Sequence, residues 1–379
     1  MSKSFAGYQD IAQKVGVTSA VEQLPKLKTL ETKAFQRYSN KYVCQLCPHV
    51  ENIYESEVYQ HDGKCPVCNM NLIELRQPIA SSNVQLHVGS GNYFIQGGKG
   101  NRQKLINVFY HKPQKFNDKS KVLIVIPGAG RNAWNYRDSW VEASEKHNVL
   151  ILSPAYAERD YDFAAYHLGG TVTDLRFDNQ KAFNEGKRTG KYIFKDEEIL
   201  SKVNHSADTW IFDDFDRIFE TAMAPLDSKQ YQYDIFGHSA GGQILHRLAI
   251  FKPNSRANRI IAANSGSYTI TNFENKLPFG LSNSVINNSH LKSSFSLQLT
   301  ILVGELDNEN ETRGSLLHTP TVDKQGLGRV ARSLYFYQKA AEQAETIGAK
   351  FNWQRKVVKG VGHDYRKMGK AAVTLLYAN

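Results

Sequence analysis

The chain has 379 residues, 41% of them hydrophobic and 22% charged, with a formal net charge of +10. That length supplies apolar material for one large globular unit and a smaller one. No segment approaches the roughly 20 apolar residues that a membrane span needs. The basic residues are scattered, with nothing denser than Lys187-Arg188 and Arg355-Lys356, so the charge reads as a solvated basic surface and argues against a nucleic-acid groove.

Residues 1–40 are polar, with apolar residues at helical spacing (Ile11, Val15, Val21, Leu24, Leu27, Leu30), and are expected to form a helical leader. Met1–Asp10 lack a basic start followed by an apolar run, which leaves a cytoplasmic protein or one whose export signal has been removed.

Residues 41–76 hold all four cysteines, Cys44, Cys47, Cys65 and Cys68. Two C-x-x-C pairs separated by seventeen residues (48–64) match a zinc-knuckle pattern. Each pair puts two thiolates on one tight turn, and two such turns close a tetrahedral site for Zn2+. A segment this short buries little core, so the metal would supply much of its folding free energy. Two disulfides or a redox pair are the competing readings. His49 and Met70 are either auxiliary ligands or an ordinary surface histidine and core methionine. Gln77–Ser82 reads as a linker.

From residue 83 to 379 strands and helices alternate. Tyr93–Ile95 and Leu105–Tyr110 suggest an opening antiparallel pair. Val122–Ile126 is a continuous apolar run, as expected of a strand buried on both faces. A helix is predicted over 135–147, a strand over 149–152, and a helix through Ile211, Phe215, Ile218, Phe219 and Met223. Further strands follow at 233–236, 259–263, 299–303 and 353–358, with a long helix over 330–347 and a terminal helix. This order implies a mainly parallel sheet with helices on both faces. Two irregular excursions, 155–202 and 265–296, leave the sheet where strands end, which is where ligands bind in open α/β sheets.

Gly237-His238-Ser239-Ala240-Gly241 follows the strand Tyr233–Phe236 and precedes a helical stretch. A serine on a sharp strand-to-helix turn needs small residues two before and two after it, because the backbone crowds there. Such a serine needs a base, and the base needs an acid to orient it. Two later strand ends provide candidates: Gly304-Glu305-Leu306-Asp307 and Gly360-Val361-Gly362-His363. Asp307 competes with Glu305 and is favoured because it lies further past its strand. His238 is read as structural. An oxyanion needs two backbone N–H donors. One is expected from Ala240 and the other from Ala129, Gly130 or Arg131 in the loop Pro127–Asn132.

Over residues 83–379 these stretches, with Ile126–Trp134, Phe236–Gln243, His246-Arg247 and Ala262–Tyr268, resemble the α/β-hydrolase superfamily, and more narrowly bacterial esterases similar to polyhydroxybutyrate depolymerases. The cysteine segment, Tyr42–Val50 with Gly63–Leu72, is similar to the small heavy-metal-binding domain of metal-efflux proteins. Cys47 stands where that family has histidine and Asn69 replaces its glycine, which shifts the expectation towards a closed structural site of four thiolates.

The resemblance implies a serine esterase with Ser239, His363 and Asp307 as its catalytic residues, acting on a small or polymeric ester, without a cofactor for the chemistry. A polyester depolymerase or peptidase is the alternative. A metal-binding protein built on a non-catalytic hydrolase-like scaffold is the alternative of another class. Trp134, Tyr156, Tyr161, Phe163, Tyr166, Tyr268, Phe273 and Phe279 fall in loops at the mouth. They either line a substrate pocket, with Trp134, Tyr166 and Tyr268 as its candidates, or pack the excursions onto the body.

Overall fold

The structure is a computed structural model that describes residues 41–43, 58–59, 63–64, 73–75, 84–102, 104–158 and 160–378. Residues 58–59, 41–43 and 73–75 pair antiparallel, in that order. The leader 1–40, the linker 77–82, His49, Met70 and the four cysteines with their expected zinc lie outside the described residues.

The large sheet has eight strands: β1 (Gly89–Gln96), β2 (Leu105–Lys112), β3 (Lys121–Ile126), β4 (Val149–Tyr156), β5 (Tyr233–His238), β6 (Ala257–Ala263), β7 (Gln298–Gly304) and β8 (Gln354–Val358). Their order is β8-β7-β6-β5-β3-β4-β2-β1. All neighbours are parallel except β4 with β2 and β2 with β1.

The apolar runs explain this arrangement. Alternate side chains of a strand point to opposite faces, so a strand covered on both sides must be apolar throughout. In β3, Val122, Ile124 and Ile126 join one core and Leu123 and Val125 the other; all are at most 1% exposed. The first core takes Phe215, Ile218 and Phe219 from helix Phe212–Met223, Ile244, Leu245 and Leu248 from helix Ala240–Phe251, and Phe336 and Ala340 from helix Arg329–Thr346. The second takes Trp140, with Met368 and Ala372 from helix Tyr365–Tyr377. Burying each Val, Leu, Ile, Phe or Met side chain among these contributes about 1.5–3 kcal/mol. Among the described residues, no helix is long and apolar enough to cross a membrane.

The helix expected over 135–147 is two helices, Ala133–Asp138 and Val141–His147. Trp140 sits between them, turned into the core against Phe236 at 5.2 Å between ring centroids. The first excursion also carries more regular structure than expected: helices Phe163–His167 and Gln180–Thr189, an antiparallel pair Val172–Phe177 with Ile199–Val203, and Lys191–Ile193 paired parallel with Leu316–His318. The second stays irregular until helix Asn288–Phe295.

β3 has β4 on one side and β5 on the other, so the chain reverses its direction of travel across the sheet at β3. The carboxyl ends of β3 and β5 therefore flank a crevice, the usual ligand position in such sheets.

Candidate functional site

Ser239 occupies that crevice. It lies between β5 and helix Ala240–Phe251 with φ 59° and ψ −114°, a conformation that costs a non-glycine residue roughly 1–3 kcal/mol. Its N–H donates to the Ala263 carbonyl at 2.9 Å, and its carbonyl accepts from Gln243 N–H at 3.0 Å. The flanking glycines are steric necessities. A Cβ on Gly237 would stand 2.5 Å from the Gly241 carbonyl, and one on Gly241 would strike the Ile126 and Pro127 carbonyls.

The imidazole of His363 donates from Nδ1 to Asp307 Oδ2 at 2.7 Å. That bond leaves Nε2 as the free base position. Asp307 is fully buried, and its other oxygen, Oδ1, accepts from Arg329 Nη1 at 2.9 Å. Arg329 also donates to the Ser315 carbonyl at 2.9 Å. Burial first, and then the Arg329 charge, lower the pKa of His363, against an opposing pull from Asp307 and Glu311. Glu305, the competing acid, points elsewhere: its Oε2 accepts from Gly360 N–H at 2.8 Å.

The loop carrying His363 is held from three directions. Glu311 Oε2 accepts the His363 backbone N–H at 2.7 Å and binds Arg313 through both of its oxygens. The hydrogen bond from Arg313, together with that from His363 N–H, lowers the Glu311 pKa to about 2. Asp364 caps the terminal helix by accepting from the N–H groups of Arg366 and Lys367. Asn264 joins three strand ends, accepting from Gly304 N–H at 2.9 Å and donating to the Gly362 carbonyl at 3.2 Å and towards His238 Nε2 at 3.4 Å. His238 is buried, keeps Tyr136 OH at 3.2 Å from Nδ1, and has its pKa pushed far down by burial and by His363. It is thus a neutral packing partner, 4.6 Å from the His363 ring centroid.

The loop Pro127–Asn132 faces Ser239, and a Cβ on Gly128 would lie 3.4 Å from that of Ser239. Arg131 is corrected as an oxyanion donor. Its N–H is used on the Gly128 carbonyl at 3.0 Å. Its guanidinium donates to the carbonyls of Tyr156, Tyr161 and Asp162 and lies over the Tyr166 ring. Ala129 and Gly130 remain as the loop's candidates. Ala240 is the first residue of its helix, where an N–H has no partner within the helix and the helix dipole favours negative charge.

A cavity of roughly 1210 Å³ opens over these groups, and Ser239, His363, Ala129 and Gly130 are among the residues that line it. Trp134 lines it, as do Tyr156, Phe163 and Phe279. Tyr166 and Tyr268 are corrected: neither lines the cavity. Tyr166 is fully buried and donates from its hydroxyl to the Pro127 carbonyl at 2.9 Å, bracing the loop from behind. Tyr268 is fully buried and stacks on Phe336 at 4.5 Å. Phe273 is exposed, at 40%. The wall also includes Phe177, Phe183 and Tyr192 from the first excursion, and Phe109 from β2.

Sequence reasoning missed Arg329, Glu311 and Asn264. Arg329 left a signal. It is the first residue of its helix, where the dipole disfavours a cation, so a nearby carboxylate was to be expected.

No family model and no curated protein matches the chain. Solved structures do. Poly(aspartic acid) hydrolase-1 from Sphingomonas sp. KT-1 is 29% identical, with 77% of this chain and all of that one covered and a TM-score of 0.65. LpqC, a poly(3-hydroxybutyrate) depolymerase from Bordetella parapertussis, is 27% identical over 77% of this chain and 90% of that one, with a TM-score of 0.64. The architecture is that of α/β-hydrolases, and the neighbours support hydrolase activity in general.

Proposed function

We propose that the chain is a serine hydrolase acting on carboxylic esters. Ser239 attacks the carbonyl carbon, His363 Nε2 takes its proton, and Asp307 holds the imidazole and stabilises the imidazolium that forms. Ala240 N–H and the Ala129 or Gly130 N–H receive the oxyanion. His363 returns the proton to the leaving alkoxide. Water, deprotonated by the same imidazole, then releases the acid and regenerates Ser239. The observation that carries this reading is the entry of Ser239 and the Asp307-bound His363 into one cavity from three different strand ends.

The test is covalent labelling of Ser239 by a fluorophosphonate, with hydrolysis of p-nitrophenyl acetate and butyrate. Ser239→Ala should lose both; hydrolysis retained by that variant overturns the reading. A scaffold without catalysis, the alternative of another class, would leave the wild-type serine unlabelled.

The cavity's size favours an extended or oligomeric ester over a minimal one, and the two neighbours named above are a poly(aspartic acid) hydrolase and a poly(3-hydroxybutyrate) depolymerase. A polymer with short repeat units is therefore the second reading. From spacing alone, Cys44, Cys47, Cys65 and Cys68 are proposed to hold one Zn2+ as a structural module distinct from the chemistry; metal analysis of the purified chain tests this.

A further inference from the structure

His167 lines the same cavity from the first excursion. It is only 5% exposed, yet among the described residues neither ring nitrogen has a hydrogen-bond partner. Phe163 stacks on the imidazole at 3.9 Å between centroids and fixes its plane. Unsatisfied buried polar atoms are costly; both nitrogens are covered although the residue lines the cavity, so a small turn of the ring that brings one of them out to a polar ligand group would remove that cost.

The backbone carbonyl of His167 is met by Arg247, which is fully buried. Among the described residues its guanidinium meets only carbonyl oxygens, those of Gln243 at 3.0 Å, His167 at 3.4 Å and Pro278 at 3.4 Å. All three of those residues line the cavity. A buried cation without a carboxylate partner, as here among the described residues, is expensive, and among them its Nε also lacks a partner. Burial lowers its pKa to about 9, so it remains charged at neutral pH. Burial, then the charges of Arg131 and Arg247, lower the His167 pKa to about 3, so the imidazole stays neutral while the wall is positive. Of the cavity's carboxylates, Asp162 is committed to Ala165 N–H at 2.8 Å, and Glu158 is partly exposed.

Ser239, Gln243 and Arg247 are four residues apart along one helix face, so Arg247 stands about 12 Å along the axis from Ser239. We propose that His167, backed by Arg247, is a subsite for a carboxylate of the substrate, up to two helical turns from the ester under attack. The His167 N–H donates to the carboxylate, and the positive wall offsets its charge. This rests on Ser239 being the reacting residue.

The experiment compares p-nitrophenyl hydrogen suberate with its methyl ester, which differ only in the distal charge. The wild type is expected to favour the free acid by roughly 10-fold or more in kcat/KM, the size of a hydrogen bond to a charged group. In His167→Phe the free-acid to methyl-ester ratio should fall to near one. His167→Gln, which keeps an N–H donor, should restore part of it. A wild-type ratio at or below one, or a ratio unchanged in His167→Phe, overturns the subsite.

Calorimetry of suberate binding to Ser239→Ala, with and without His167→Phe, reads the subsite without turnover. Weaker binding only in the double variant upholds the subsite even if neither ester is hydrolysed, in which case the hydrolase reading alone fails. Equal binding overturns the subsite.

Discussion

Asp307 divides its two oxygens between two partners: Oδ1 accepts from Arg329 at 2.9 Å and Oδ2 from His363 at 2.7 Å. Asp307 is 0% exposed, and the Arg329 side chain 3%. The arginine therefore orients the carboxylate and fixes which oxygen faces the imidazole.

Arg329→Met should lower kcat/KM and destabilise the fold together. Breaking one side of a buried ion pair costs about 3–5 kcal/mol. The informative readout is the pH profile. Arg329 lowers the His363 pKa, so its removal raises that pKa. The acid limb of kcat/KM should move to higher pH. An unmoved limb would show that the arginine supports only the fold.

In the wild type the acid limb of kcat/KM should lie below the ordinary histidine value of about 6.5, because His363 must be neutral to act and its pKa is lowered mainly by burial. A midpoint above 6.5 would contradict the environment described here.

Asp307→Asn and Glu305→Gln separate the two acids. The first should reduce kcat on the order of 10⁴-fold by upsetting the imidazole tautomer. The second should act weakly, through loss of the bond to Gly360 N–H. Steady-state kinetics on one p-nitrophenyl ester are sufficient, and comparable losses in both variants would reassign the acid.

Gly314 backs the His363 ring. It has φ 74°, and a Cβ there would lie 2.8 Å from His363 Cδ2 and 2.9 Å from Nε2. Gly314→Ala should cost about 1–2 kcal/mol of strain and displace the imidazole. Turnover should thus fall further than the modest drop in Tm implies. A variant with wild-type kcat at 25 °C would place the ring elsewhere.

Buried histidines also set an acid limit to stability. His167, His238 and His246 have lowered pKa values, chiefly through burial. Below about pH 6.5 the unfolded chain takes up protons that the folded chain refuses, so unfolding becomes easier as pH falls. For His167 that loss continues down to about pH 3. Each such group contributes at most about 1.4 kcal/mol per pH unit. Denaturant titrations at pH 7.5, 6 and 5 should show a falling free energy of unfolding.

The parts of the molecule that sequence revealed share one property: a local physical cause. β3 was visible because both of its faces are covered, which requires Val122–Ile126 to be apolar throughout. Ser239 was visible because the crowded turn demands Gly237 and Gly241 within four residues of chain. Arg329 and Asn264 act across 22 and 40 residues respectively, to Asp307 and Gly304, and no short pattern carries such a pairing. Tyr166 and Tyr268 were misplaced for a related reason. An aromatic residue in a loop looks the same whether it faces ligand or core, and only the three-dimensional packing distinguishes them. The strand Val172–Phe177 escaped notice because only Val172 in it is buried, and its three apolar residues are interrupted by Thr173, Asp174 and Arg176 without a regular alternation.

The parallel pairing of Lys191–Ile193 with Leu316–His318 joins the first excursion to the segment that follows Glu311, Arg313 and Gly314. The roof of the cavity and the support of its imidazole are thus one hydrogen-bonded assembly. An engineer who grafts a different roof onto this scaffold must transplant residues 305–320 with it, or the exchange will disturb the seat of His363 along with the shape of the cavity.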